Sequence, residues 1–308
     1  MKIVIVGAGG RLGAALLREY HGKFDVIGFD RTQLDVSDLS GVREKLQQTD
    51  FDILINASGF TKVDVCETQP GPAFLINAEA PRVFAEICDQ KRARLIHFST
   101  DYVFDGEKRG PYTEEDVATP ISVYGESKLA GEKNVLAAHD RNLVVRVSWV
   151  FGPDRPSFID AMIKGAQESE RLDAVANKFS TPTYTLDIAE MLPHFFVAGG
   201  FDAGNPVAVN ARGYSATDVR GILHFANTGQ CTWQEYAQWA LDCCQKVGVP
   251  LRARTVGAGK LENMSNWIAR RPVYSVLSTA KYTSLTGISP RTWREAVSDY
   301  ITHFYSKK

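Results

Sequence analysis

The sequence predicts an α/β fold built on a doubly wound parallel sheet, and three observations carry that prediction. A β-branched apolar run at the N-terminus enters a glycine-rich turn and then a helical pattern. Further short apolar runs alternate with amphipathic helical patterns along the first half. Each run closes on small or polar residues, which suits a crevice at the carboxyl ends of parallel strands. Together these describe a Rossmann-type sheet. The rhythm changes after Trp149, so residues 1–149 are expected to form a dinucleotide-binding domain and 150–308 mainly a smaller substrate lobe. Segments near 180–200 and 220–230 are expected to return to the sheet.

In chain order, Lys2–Val6 reads as a buried strand that stops at glycine. The turn Gly7-Ala-Gly-Gly10-Arg11-Leu12-Gly13 follows. Gly7, Gly10 and Gly13 give Gly-x-x-Gly-x-x-Gly, because Leu12 occupies the last glycine place of the plain Gly-x-Gly-x-x-Gly pattern. Small residues let the backbone approach a pyrophosphate, and the helix N-terminus supplies N–H donors. A tight turn that binds nothing is the bland alternative. Val26–Phe29 is the second strand and ends at Asp30, a place where an acid accepts from the adenosine ribose and favours NAD. Arg31 and Arg11 both suit the 2′-phosphate of NADP, so NADH and NADPH stand together as cofactors, and Arg31 also reads as a solvated loop charge. Asp35 and Val36 suit the adenine, by accepting from its amino group and packing on its ring. Asp35 also reads as part of a helix cap before Ser37.

Ile53–Asn56 is the next strand, followed by Ala57-Ser58-Gly59, where a cofactor crevice is expected. Val83, Phe84 and Ile87 mark an amphipathic helix. Arg94–Phe98 runs on to Ser99-Thr100-Asp101, and Leu143–Val147 to Ser148-Trp149. Later come helices over Phe158–Ala166 and Trp233–Cys244, a strand over Ile222–Ala226, and an irregular then helical end.

The chain of 308 residues has 44% hydrophobic and 23% charged residues, as an ordinary globular protein does. A net charge of −1 gives no electrostatic reason to expect nucleic acid or an anionic membrane as partner. Five cysteines, odd in number and without Cys-x-x-Cys spacing, fit reduced thiols in the cytoplasm and point to no metal site. No run reaches the ~20 apolar residues of a membrane span.

Tyr124 and Lys128 stand four places apart, on one face of a predicted helix. A phenol near pKa ~10 is a poor acid at neutral pH, and a neighbouring cation lowers it. The pair can then pass a proton to a carbonyl oxygen. By spacing alone it is also an ordinary surface pair worth ~0.3 kcal/mol.

The glycine turn, strand-end Thr100 and Tyr124-x-x-x-Lys128 together resemble the extended branch of the short-chain dehydrogenase/reductase family. Ser99-Thr-Asp-Tyr-Val-Phe-Asp-Gly106, Val123–Glu132, Arg146–Gly152, Ser180–Thr183, Thr232-Trp233 and Arg271–Ser275 are similar to motifs of its 4-keto-sugar-nucleotide reductases. The resemblance implies reduction of a nucleotide-linked 4-keto sugar, dTDP-4-dehydro-L-rhamnose to dTDP-L-rhamnose foremost. It implies that Tyr124 is the proton donor, that Lys128 lowers its pKa and holds the nicotinamide ribose, and that Thr100 bonds the keto oxygen. Asp101, Trp149 and Arg271 are expected at the sugar nucleotide. Gly10, Arg11 and Leu12 are expected at the pyrophosphate, and Gly59 and Thr61 along the cofactor. Related dehydratases carry Asp-Glu after the threonine, and here Asp101 is followed by Tyr102, which favours simple reduction.

The departures are Asn177-Lys178-Phe179 in place of an Asp-Gln pair, extra glycine and loop residues over 199–221 including Gly213–Thr217, and Val273-Tyr274 after Pro272. They leave two alternatives open: a reductase of another nucleotide-4-keto-hexose, and a non-catalytic NADP-binding subunit like that of methionine adenosyltransferase. A homodimer is an expected partner state.

Overall fold

The computed structural model describes residues 1–196 and 219–306. Most of the 199–221 stretch, and the end of the segment near 180–200, lie outside the described residues. Among the described residues the sheet has six strands: β1 (Lys2–Val6), β2 (Asp25–Phe29), β3 (Ile53–Asn56), β4 (Arg94–Thr100), β5 (Leu143–Val147) and β6 (Gly221–Phe225). Their order is β6-β5-β4-β3-β1-β2, and every pairing is parallel. β3 and β4 are buried along their whole length, as strands covered on both faces are.

The chain leaves β1 toward β2 on one side, and β3 then lies on the other. This reversal opens a crevice at the carboxyl ends of β1 and β3. Register decides what meets there. Val6 pairs with Phe29 and Asn56, and Thr100 with Val147. Gly7, Ala57, Asp101 and Ser148 therefore all emerge at the same edge.

Helix α1 (Arg11–Tyr20) follows the glycine turn. A Cβ on Gly13 would stand 2.2 Å from the Gly7 carbonyl oxygen, so only glycine lets this helix start so close to β1. Its buried face, with Ala15, Leu16 and Tyr20, packs on α8 (Thr185–Met191). The Tyr20 hydroxyl donates to the Ala189 carbonyl at 3.1 Å. The segment 185–191 thus lies against the sheet's helical layer.

Helix α2 (Leu39–Gln48) precedes β3, and between β3 and β4 run α3 (Val63–Thr68), α4 (Pro70–Phe74), a π-helical turn (Leu75–Glu79) and α5 (Ala80–Lys91). The π turn widens the backbone and directs Asn77 inward, a distortion common at functional sites. Helix α6 (Val123–Ala138) starts at Ser122, whose hydroxyl accepts from the Gly125 N–H at 3.3 Å. A Cβ on Gly125 would lie 2.2 Å from the Tyr102 carbonyl oxygen, so glycine here brings α6 onto the end of β4.

The second lobe packs α7 (Phe158–Glu168), α9 (Trp233–Lys246) and α11 (Trp293–Tyr305) around Phe151, Tyr184 and Tyr236. Reciprocal caps, Thr232 with Glu235 and Thr292 with Glu295, fix the starts of α9 and α11. Helix α10 (Ala280–Thr286) packs on β6. Among the described residues no helix is long and apolar enough to cross a membrane.

Candidate active site

One cleft follows the carboxyl edge of the sheet in two compartments of about 440 and 420 Å³, sharing Gly10, Ala57, Ser58 and Gly59. The first is also lined by Gly7, Asp30, Arg31, Asp35 and Val36. The second is lined by Arg11, Leu12, Thr61, Thr100, Tyr124, Lys128 and Trp149, among others. Asp101 closes its inner wall.

The join between the compartments is the N-terminus of α1. Gly10 caps it without a side-chain hydrogen bond, and its first turn contains no acidic residue. Unsatisfied N–H donors and the positive end of a ten-residue helix therefore face the cleft, as a pyrophosphate requires. These residues fit a dinucleotide, and the first compartment gathers the residues expected at the adenosine.

The adenosine end differs in detail from expectation. Asp30 Oδ1 accepts from the Thr32 N–H at 2.8 Å, the Thr32 hydroxyl at 2.7 Å and the Gln33 N–H at 3.2 Å, which holds its pKa below the usual carboxylate value. Asp35 likewise accepts from the Ser37 N–H and hydroxyl at 3.0 and 2.7 Å. Both carboxylates thus brace their turns while lining the cleft. Arg11 is not available for a 2′-phosphate: its guanidinium donates to the carbonyls of Val150, Arg155 and Pro156. Arg31 remains exposed, 3.7 Å from Asp35. Arg155 also lines this compartment and donates to the Gly9 carbonyl at 3.0 Å. It comes from a loop that offered no signal in sequence.

At the other end Thr100, Tyr124 and Lys128 converge. The Thr100 hydroxyl accepts from the Tyr102 N–H at 3.2 Å and donates to Asp101 Oδ1 at 3.1 Å. Asp101 Oδ2 accepts from Ser148 at 3.0 Å and Ser275 at 2.6 Å. Burial raises the Asp101 pKa, against the opposing effect of Lys178 and these three hydroxyls. Lys178 is itself buried, 5.3 Å over the Tyr102 ring, and burial pulls its pKa down to about 8.

Tyr124 lies edge-on to Tyr102 with ring centroids 5.7 Å apart. Burial pushes its phenol pKa up, and a hydrogen bond with Thr100 resists this. The expected lowering by Lys128 is not what the protein by itself displays. The Lys128 ammonium turns toward β4, donating to the Phe98 carbonyl at 2.6 Å with His97 Nε2 at 3.4 Å. Burial lowers its pKa to about 8.

Trp149 adopts φ 46°, a left-handed conformation that costs a bulky residue roughly 1–2 kcal/mol. The turn puts its indole between the cleft and an aromatic group, 4.9 Å from Trp233 and 5.3 Å from Phe158. Asn77, on the π turn, donates to Ser127 at 3.0 Å and accepts from the Phe60 N–H at 2.8 Å. Periodicity gave no warning of this turn.

Arg271 does not line the cleft. It lies 3.9 Å over the Trp267 ring and donates to both oxygens of Asp64, at 3.1 and 2.5 Å. Asp64, on α3, also accepts from the Ile268 and Ala269 N–H groups. The cluster ties the second lobe to the helices beside Tyr124. Arg271 holds the Asp64 pKa below the usual value, so this stabilisation is complete above the ordinary carboxylate pKa and is lost as pH falls through the lowered one. Asp64→Asn is expected to cost about 1 kcal/mol near pH 7. Urea unfolding of the two proteins should show the difference shrinking as pH falls below ~4.

Comparison with known proteins agrees with this architecture. The family model described as RmlD substrate binding domain matches residues 1–306. The chain is 35% identical over 305 residues to dTDP-4-dehydrorhamnose reductase of Mycolicibacterium smegmatis, covering 97% of this chain and 85% of that one. It is 32% identical over 301 residues to the spore coat polysaccharide biosynthesis protein SpsK of Bacillus subtilis, covering 97% and 96%. A crystal structure of dTDP-4-dehydrorhamnose reductase from Bacillus anthracis in complex with NADP superposes with a TM-score of 0.86 at 29% identity, covering 98% and 99%. The matches run over almost the whole chain, so the glycine turn and the Tyr124/Lys128 helix both lie inside the shared architecture. The chain belongs to the RmlD substrate binding domain family, within the extended short-chain dehydrogenases/reductases.

Proposed function

We propose that this chain reduces a nucleotide-linked 4-keto sugar with NADPH or NADH, and that dTDP-4-dehydro-L-rhamnose, giving dTDP-L-rhamnose, is its substrate. The observation that carries the reading is the convergence of Thr100, Tyr124 and Lys128 on a cleft that continues to the uncapped N-terminus of α1.

The reduced nicotinamide supplies a hydride to the carbonyl carbon. The chain's own residues act on the oxygen. Tyr124, kept protonated by burial, gives its proton as negative charge develops there. Thr100, turning its hydroxyl from Asp101, donates a second hydrogen bond. Each donor aimed at the developing oxyanion contributes on the order of 10²–10³ in rate. Trp149 and the aromatic group behind it wall off water, which strengthens these interactions. Tyr102 stands where related dehydratases carry a glutamate, so the Asp-Glu pair that removal of water uses is not present after Thr100.

The test is absorbance at the reduced nicotinamide band, with dTDP-4-dehydro-L-rhamnose and NADPH or NADH in turn. Rapid loss supports the reading, and the ratio of rates reports the balance between Asp30 and the cations Arg31 and Arg155. Lys178, buried beside Asp101, favours a second reading, a different 4-keto hexose. Cofactor binding without turnover would move weight to that sugar first, and to a regulatory NADP-binding role second. A second copy of the chain is the proposed protein partner, and the cytoplasm the proposed compartment, in keeping with five buried free thiols. Sedimentation tests the partner.

A further inference from the structure

A fixed hydrogen-bond polarity runs through the core from the cleft to Lys128. It begins at the Ser58 backbone N–H, which can only donate. That N–H gives to Asn56 Oδ1 at 3.0 Å, and the Ser58 hydroxyl gives to the same oxygen at 2.6 Å. The Asn56 carbonyl oxygen therefore faces Ser58, and its NH₂ faces the other way. That NH₂ lies 2.9 Å from His97 Nδ1. Turning the amide over would set an NH₂ against the Ser58 N–H, donor against donor. His97 Nδ1 must accept.

A neutral imidazole that accepts at Nδ1 carries its proton at Nε2. His97 is fully buried between sheet and helix, and burial together with the Lys128 charge keeps it neutral. Its Nε2 lies 3.4 Å from Lys128 Nζ. The imidazole thus aims an N–H at an ammonium. A lone pair there would accept from Lys128 and hold its charge; an N–H opposes that charge and suits a neutral amine.

Among the described residues the other groups around Lys128 are few. The Phe98 carbonyl accepts from it at 2.6 Å. Glu132, one turn on along α6, favours its charge, but Glu132 is held by Arg146 of β5 at 2.8 and 2.6 Å. Tyr124 lies one turn back on α6, and Asp101, beyond β4, acts on Tyr124.

We propose that His97 is a positioning residue: its Nε2–H tautomer, locked by Ser58 and Asn56, faces Lys128 and makes it a proton-releasing group rather than a fixed cation. This rests on the proposed reduction. Tyr124 loses its proton to the sugar oxygen in each turnover and becomes a phenolate. Lys128 as ammonium replaces that proton and becomes an amine, and solvent reprotonates the amine. One proton is taken from solvent per ketone reduced.

Two measurements test it. In protein labelled with ¹⁵N-histidine, long-range ¹H–¹⁵N correlation spectra report which ring nitrogen carries the proton. The His97 signals are identified by sequential backbone assignment of the parent protein, carried from Cβ into the ring. A protonated Nε2 and bare Nδ1 are expected; a protonated Nδ1 overturns the proposal. This readout needs no substrate, so it stands even if the chain reduces no keto sugar.

The second is the pH profile of kcat. Gln in place of His97 can turn its carbonyl oxygen to Lys128, so the alkaline fall in kcat should move up by about one pH unit, with NADPH affinity unchanged. A purely structural role would lower kcat at all pH values without moving that limb. An unmoved limb in a folded variant overturns the proposal, and if the variant does not fold the spectrum of the parent protein decides.

Discussion

Tyr124→Phe is expected to lower kcat by roughly 10²–10⁴-fold while leaving the dissociation constant for NADPH nearly unchanged. The substitution removes one hydroxyl and keeps the ring, so the edge contact with Tyr102 and the packing beside Cys66 survive. What is lost is the proton that must reach the sugar oxygen as hydride arrives. Thr100 remains as a donor but is a far poorer acid, and its own oxygen is engaged with Tyr102 and Asp101. The adenosine compartment and the N-terminus of α1 are untouched. Single-turnover absorbance at saturating cofactor separates the two effects. Substantial retained turnover would remove Tyr124 as proton donor and turn attention to the Asp101–Lys178 pair.

Glu132→Gln is expected to destabilise the fold by about 3–5 kcal/mol. Glu132 and Arg146 form a two-pronged pair with each side chain only 2% exposed. The carboxylate is the guanidinium's counter-charge, since Arg146 otherwise lies over the Phe104 ring at 5.0 Å and its Nη1 has no partner. Removing one charge leaves the other buried and uncompensated. Replacing both, by Glu132→Leu with Arg146→Met, is expected to cost much less, because neither charge then has to be desolvated. Urea unfolding of the parent and both variants gives the comparison. Equal losses in the two variants would show that packing around α6 and β5, not charge, sets the cost.

Much of the framework was legible in the residues. Runs such as Ile3–Val6 and Ile53–Asn56 are β-branched, short and bounded by glycine or small polar residues, and they are strands. The glycine turn and Tyr124/Lys128 were legible because local spacing suffices: three or four residues define a turn or a helix face. The departures at Arg271 and Arg11 arise where partners come from far along the chain. Arg271 is paired with Asp64, 207 positions away, and Arg11 with carbonyls some 140 positions on. A charged residue looks available for ligand until its partner is known.

What the sequence by itself determined is therefore the α/β class, the strand sequence, the glycine turn and the placing of Tyr124 and Lys128 on one helix face, because each is set by neighbours within a few residues. Tertiary structure alone decided how those side chains are charged and aimed. Burial raises the Tyr124 phenol and lowers the Lys128 ammonium, and strand register sets Asn56 beside His97. Desolvation and long-range hydrogen bonding depend on what surrounds a group in space, and no local pattern records that.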